Sequence, residues 1–328
     1  MERFEDFLGQ DDIKEFFREA GNGKHPGHAY ILEGSDGMGK KSLAKLFAMS
    51  LLCTSEGEKP CGACHSCKMA LAGTHPDFIT VTHEKLNTLR VSEIRQQVVD
   101  DVPIKPYYGG KKVYIIPDAQ KMNKEAQNSL LKTIEEPPDY AVLLLLTDSK
   151  DSLLPTVTSR CVSFSFRPLP DSIIKKYLTD KLDIEPARAS AITSFSGGNL
   201  GMAIRLSQSE EFREIYDNTT EMLKTIENRQ VEQLLSEAKE YTEHKEDLDE
   251  ILDIMLLWYR DVLMCKAAPG VALTFTDETG YIETKAAKIS YEEINRSIAA
   301  IEETKERLAL NANAEAAMDM LLLNIKGY

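Results

Sequence analysis

The sequence predicts an α/β domain built on a parallel sheet, followed by a small helical domain and an all-helical C-terminal domain. Three observations carry that prediction. Short apolar strand candidates alternate with helical stretches over the first half of the chain, and a glycine-rich turn joins the first strand to a helix. The strand signal then stops after Pro168-Leu-Pro170. Apolar strands separated by helices need cover on both faces, which crossover helices on a parallel sheet provide.

The elements follow in order. His28–Glu33 reads as a short buried strand running into Gly34-Ser-Asp-Gly-Met-Gly-Lys-Lys-Ser42, after which Leu43, Leu46, Phe47 and Leu51 recur at helical spacing. Lys111–Pro117 is a second buried strand, followed by Asp118. Met122–Thr133 is helical in composition until Glu135-Glu-Pro-Pro138 stops it. Ala141–Leu146, all apolar, is a third strand, and residues 1–165 are expected to form the α/β domain. Asp171–Leu182 and Ile184–Phe195 read as short helices closed by Ser196-Gly-Gly198, which gives a helical domain over 166–208. From 209 to 328 the pattern is helical, as in Leu248, Ile251, Leu252, Met255, Tyr259, Val262 and Leu263, with a break around Pro269–Thr276. No internal repeat or low-complexity linker separates these parts.

Composition narrows the function. The chain has 328 residues, 42% hydrophobic and 28% charged, a soluble globular mix that argues against a disordered or fibrous protein. Its longest apolar runs, Ala141–Leu146 and Ile254–Tyr259, fall well short of the roughly 20 residues a bilayer requires. The opening Met1-Glu-Arg-Phe-Glu-Asp6 has charges of both signs and no signal-peptide core, so a cytoplasmic protein without membrane contact is expected. Net charge is −14, and Glu210–Asp253 alone holds 15 acidic against 5 basic residues, a net of −10. Any contact with nucleic acid must therefore be local, and a free-standing zinc-dependent nucleic-acid binder is disfavoured. No gathering of carboxylates suits the two-metal centre of a polymerase or nuclease.

Cys53-x7-Cys61-x2-Cys64-x2-Cys67 can supply four thiolates to one tetrahedral zinc, and Pro60 and Gly62 allow the tight spacing. Four sulfur ligands leave no open position for water, so such a zinc is structural. An iron–sulfur cluster and four unrelated buried thiols are the alternatives. Gly34-x4-Gly39-Lys40 has the spacing of a phosphate-binding loop, yet the position that should give a hydroxyl to Mg²⁺ is Lys41. Ser42 comes one residue later, about 100° around the helix. The loop is either a compromised nucleotide site or an empty glycine turn. The second strand ends Ile116-Pro-Asp118-Ala119, and Ala119 cannot orient an attacking water. After the third strand comes Thr156-Val-Thr-Ser159-Arg160-Cys161, where an arginine is on pattern alone ordinarily a solvated or salt-bridged side chain.

These residues carry a family resemblance. The chain resembles the delta-prime subunits of the bacterial DNA polymerase III clamp loader, within the AAA+ superfamily of P-loop NTPase-like folds. The match runs from Leu8-Gly-Gln10 through the P-loop remnant and the cysteines to Gly73-Thr-His-Pro-Asp77, Asn128-Ser-Leu-Leu-Lys-Thr-Ile-Glu-Glu-Pro-Pro138 and Ser159-Arg160-Cys161. The related tau/gamma ATPase subunits keep the P-loop hydroxyl and an Asp-Glu pair, from which Lys41 and Ala119 depart. Gly198-Asn-Leu-Gly201 places glycine where the active ATPase has its lid arginine sensor.

The resemblance implies a non-hydrolysing subunit of a five-membered ring that places the sliding clamp on primed DNA. Its partners are then tau/gamma and delta subunits. Arg160, within Ser159-Arg160-Cys161, is the arginine finger offered to a neighbour's ATP site, and residues 209–328 form the collar. No activity is expected of the isolated chain, which joins the polymerase reaction only through the assembly. Because Lys40 persists beside Gly34 and Gly39, bound ATP or ADP without turnover stays open. An active tau/gamma-type ATPase subunit is the alternative reading. Lys111, Lys112, Lys121 and Lys124 are candidate phosphate contacts only, and the preferred reading of each is a solvated surface lysine.

Overall fold

The computed structural model describes residues 3–24, 27–82, 88–108, 110–243, 247–268, 270–271, 273–310 and 312–327. Met1, Glu2 and Pro269, and residues 244–246 of the acidic segment, lie outside the described residues. The chain forms two compact units, Met1–Leu169 with Asn199–Gly201, and Pro170–Gly198 with Met202–Tyr328.

In the first unit the elements run α1 (Asp11–Gly21), β1 (Ala29–Glu33), α2 (Lys40–Leu52), α3 (His65–Ala72) and β2 (Phe78–Thr80). Helix α4 (Val91–Ile94) continues as a π turn over Arg95–Val99. β3 (Lys112–Ile116), α5 (Lys124–Glu135), β4 (Ala141–Thr147), α6 (Pro155–Thr158) and β5 (Val162–Ser165) complete the unit. The five strands pair in the order β2-β3-β4-β1-β5, every pair parallel.

The central strands are continuously apolar because both faces of the sheet are covered. Tyr30, Leu32, Val113, Ile115, Val142, Leu144 and Leu146 face a core shared with Phe17, Leu43 and Phe47. Their neighbours Ala29, Ile31, Tyr114, Ile116, Leu143 and Leu145 face the opposite core with Ile94, Val98, Leu130 and Ile134. This is the period-two alternation of a strand with two buried faces. β2 and β5 were not anticipated from the sequence. They are short edge strands, half-buried Phe78-Ile-Thr80 and largely exposed Val162-Ser-Phe-Ser165, so neither carries a run of core residues.

The second unit contains α7 (Asp171–Leu182), α8 (Pro186–Ser196), the body of α9 (Leu200–Gln208), α10 (Glu210–Thr225) and α11 (Val231–Glu243). It continues with α12 (Leu248–Ala267), α13 (Thr279–Lys288), α14 (Tyr291–Ala309) and α15 (Ala314–Lys326). α12 is its spine: Ile251, Leu252, Met255, Trp258, Tyr259 and Val262 are buried and pack with residues of α10, α13, α14 and α15. Their spacing of three and four is the apolar stripe of an amphipathic helix. Asp261 closes the turn after α12 by accepting the Phe275 N–H at 2.9 Å. Among the described residues no helix is long and apolar enough to cross a membrane.

Truncating the doubly covered sheet should be costly. Leu144→Ala, at a fully buried position of β4, is expected to lower unfolding stability by about 2–5 kcal/mol, read as a fall in denaturant midpoint with unchanged m-value. A loss below about 1 kcal/mol would mean that the sheet is not packed on both faces as described.

Candidate functional site

The functional face begins where β1 ends. A parallel sheet presents the carboxyl ends of its strands as a crevice, and here β1 leads directly into the 34–39 loop and α2. Gly39 is the N-cap of α2 with φ 92°, and Gly37 has φ 85°, both in the left-handed region that glycine tolerates. The loop is built as a phosphate cradle would be, but its own chain fills the contacts. The Lys40 ammonium, only 11% exposed, donates to the Gly34 carbonyl and pairs with Asp148 Oδ1 at 2.8 Å. Asp148 Oδ2 in turn accepts from Gln120 Nε2 at 3.0 Å.

Residues 199–201 close over the same loop. Asn199 Nδ2 donates to the Asp36 carbonyl at 2.7 Å, and the Gly201 N–H donates to the Gly37 carbonyl at 3.0 Å. A Cβ on Gly201 would lie 2.6 Å from both the Cα and the carbonyl oxygen of Gly37, so this approach requires glycine. The hydroxyl of Ser42 is on an exposed position of α2, and Lys41 beside it is exposed as well. Ala119 is fully buried, and Asp118, in the left-handed region at φ 50°, pairs with Lys121 at 3.1 Å. These side chains include no general base for hydrolysis at the position after Asp118.

The four cysteines converge as their spacing predicts. Cys53 caps the end of α2 and Cys64 the start of α3, and all four Sγ atoms lie within 4.8 Å of one another. Cys53 and Cys64 Sγ are 4.0 Å apart, close to the ~3.8 Å edge of a tetrahedron with ~2.3 Å metal–sulfur bonds. The Cys64 N–H points to Cys61 Sγ at 3.3 Å and the Cys67 N–H to Cys64 Sγ at 3.4 Å. Burial opposes ionisation of Cys64, but donors from the Cys67 and Thr54 backbone outweigh it and pull the thiol down to about 6. N–H donors from Cys64 and Ala63 likewise lower Cys61. Burial pushes the Cys53 and Cys67 thiols up instead, so the fit to one metal ion rests on the convergence of the four sulfurs.

A polar relay fastens this module to the sheet. Ser66 Oγ donates to the Leu52 carbonyl at 2.7 Å and receives His75 Nε2 at 2.9 Å, while His75 Nδ1 accepts the Asp77 N–H at 3.1 Å. Those partners require neutral imidazole, and burial lowers the His75 pKa accordingly. The buried Asp77 carboxylate then accepts the N–H groups of Tyr107 at 2.7 Å and Tyr108 at 3.0 Å. Sequence reasoning assigned His75 and Asp77 no task, because isolated buried polar residues have no periodicity.

Arg160 follows α6 and precedes β5. Its Nε pairs with Glu135 Oε1 at 2.8 Å, and its Nη1 donates to the Thr156 carbonyl at 2.9 Å and to Ser159 Oγ at 3.3 Å. The side chain stays 40% exposed. Burial pushes the Cys161 thiol up to about 12, which leaves it inert at neutral pH. Gln127 fixes the approach to α6: its Nε2 donates to the Met122 carbonyl at 3.1 Å, and its Oε1 accepts the Leu154 N–H at 2.7 Å. Three of the four lysines considered for DNA have partners within the chain, and Lys124 is exposed at the start of α5. Lys112 is buried against Asp101 at 2.7 Å, Lys121 pairs with Asp118, and Lys111 donates to the Asp139 carbonyl at 2.6 Å.

A parallel sheet with a glycine turn between its first strand and the following helix gives the first unit a P-loop NTPase-like fold, and a helical C-terminal part follows it. Residues 9–170 match the family model described as DNA polymerase III, delta subunit, and residues 211–327 match that family's C-terminal model. The chain is 31% identical over 306 residues to the DNA polymerase III subunit delta' of Bacillus subtilis, which covers 91% of each chain. It is 29% identical over 325 residues to the Escherichia coli subunit of that name, covering 94% of this chain and 91% of the relative. The tau subunit of B. subtilis is 30% identical over 82% of this chain and 51% of its own length. The solved Holliday junction branch migration motor RuvB of Thermotoga maritima aligns over 98% of this chain and 89% of its own, with 15% identity and a TM-score of 0.47. The chain belongs to the delta' family of DNA polymerase III subunits.

Two measurements check this geometry. Elemental analysis of chelator-free protein should find about one metal ion per chain, and Cys64→Ser should lower that occupancy and raise hydrogen exchange over residues 53–67; protein without metal would contradict the site. Asp77→Ala, which strands two N–H groups, is expected to cost about 2–4 kcal/mol. A change within experimental error would remove the relay from the account.

Proposed function

We propose that this chain is a non-hydrolysing, cytoplasmic subunit of a clamp loader that places the sliding clamp on primed DNA. Its partners are tau/gamma-type and delta-type subunits, and it meets clamp and DNA through that assembly. The observation that carries the reading is the self-satisfied loop. Lys40, the residue that would meet the outer phosphates, is held by Gly34 and Asp148, and Gly201 lies against Gly37. Membership of the delta' family supports the partnership. Any ATP or ADP that the loop admits must displace those contacts and is not turned over, because Ala119 and Lys41 replace the water-orienting and Mg²⁺-binding groups.

Within that assembly, Arg160 acts as a finger toward the ATP of a neighbouring subunit. A guanidinium keeps its charge and offers forked donors as negative charge shifts over the transferring phosphoryl group. The cysteine cluster holds a structural zinc, whose chemistry when bound is to cross-link α2 to α3 without an open coordination position. Residues 166–208 serve as a lid and 209–328 as a collar through which the ring is held. The acidic character of that last segment suits contact with protein and opposes contact with DNA.

The test is Arg160→Ala in the reconstituted complex. Losing a finger typically costs about 10³–10⁵ in rate at the one site it serves, and total ATP turnover falls by much less because the other sites retain theirs. Zinc content, melting and ring assembly should be unchanged while clamp loading is impaired, and Arg160→Lys should not restore it. Clamp loading at the wild-type rate by the Arg160→Ala complex would refute the finger.

A further inference from the structure

Arg160 does not stand alone on its loop. We propose that Glu135 is the positioning residue that aims the Arg160 guanidinium, an inference that rests on the reading of Arg160 as a finger. The carboxylate engages Nε at 2.8 Å, while the Thr156 carbonyl and Ser159 Oγ hold Nη1. Two of the three guanidinium nitrogens are thus occupied by the chain's own acceptors. Nη2 is left without a partner among the described residues.

Helix physics explains why the carboxylate stands there. Glu135 is the last residue of α5, where the helix dipole disfavours a negative side chain. A cation beside it relieves that cost, and Arg160 supplies one from the end of α6. The position of Glu135 is well fixed. Its neighbour Ile134 is buried in the core beneath the sheet, and the Ile134 carbonyl accepts His28 Nε2 at 2.8 Å. Pro137 and Pro138 stop the helix immediately beyond.

The pair has little to offer folding. Glu135 is 45% exposed and Arg160 40% exposed, and exposed ion pairs add little to stability. What the pair does supply is orientation. An arginine tethered at Nε and Nη1 has lost most of its rotamer freedom before a neighbouring subunit arrives, so less entropy is lost when Nη2 meets a phosphate oxygen. An unpaired arginine at this position would have to find that geometry anew in each encounter.

Single-turnover phosphate release by the reconstituted ring, with clamp and primed DNA present, tests the inference. Arg160→Ala should remove the fast phase belonging to the site that faces this chain. Glu135→Ala should slow that phase about tenfold, the effect of losing the ion pair that orients Nε, with melting and assembly unchanged. In a ring already carrying Arg160→Ala, adding Glu135→Ala should cost nothing more, an outcome that a merely structural role would not produce. Wild-type or faster release by Glu135→Ala alone, or a further slowing in the double variant, overturns the inference and leaves the finger reading standing. If Arg160→Ala itself keeps the fast phase, the finger reading falls and this inference falls with it.

Discussion

The functional face depends on the placement of β1, a strand buried on both faces and paired along both edges. Because β4 and β5 flank it, its carboxyl end fixes the 34–39 loop, the turn after β4 and the approach from β5 at one point of the sheet. Glu33, its last residue, ties those pieces together by accepting the Lys150 N–H at 3.0 Å and the Ser165 hydroxyl at 2.6 Å. The same N–H and hydroxyl lower the pKa of that carboxyl. A central strand with this many obligations cannot shift register, so the point from which the loop leaves is fixed whether or not it ever holds a phosphate.

On that fixed base, the charge of Lys40 has to be met. An ammonium with so little exposure needs acceptors, and in a working nucleotide site phosphates provide them. Here Gly34 and Asp148 do, and Gln120 steadies Asp148 in turn. Ala119 is buried at the end of β3, and Gly201 permits a backbone approach to Gly37 that a larger side chain would block; on the proposed reading, Ala119 and Lys41 stand where an active site would carry a carboxylate and a hydroxyl. The Arg160 segment lies elsewhere, between α6 and β5, with its guanidinium paired to Glu135 at the end of α5. On the proposed reading, an occupied loop and a tethered arginine suit a subunit that acts on a neighbour's substrate.

Which parts of this were legible in the sequence follows from the range of the interactions. β1, β3 and β4 could be read because burial on two faces writes an unbroken apolar run, and the cysteine cluster because all four cysteines fall in one short window. β2 and β5 could not, since an edge strand of three or four residues carries no such run. The partners of Lys40 and Arg160 were also hidden. Asp148 is 108 residues from Lys40, and nothing local to either residue announces the pairing; it exists because the sheet order sets β4 beside β1. Glu135 could be seen only as part of a helix stop, and its relation to Arg160 needs α5 and α6 in place. The Gly73–Asp77 segment was visible as a motif, while its task of joining the cysteine module to the 107–108 turn required the fold.

The central claim is that this chain does no nucleotide chemistry of its own, and Mg²⁺-ATP turnover by the purified chain, with an active ring as positive control, tests it most directly. The account predicts phosphate release at the level of the protein-free blank. Release above that level that vanishes in Lys40→Ala would contradict the account, since it would mean that Lys40 leaves Gly34 and Asp148 to serve a bound phosphate.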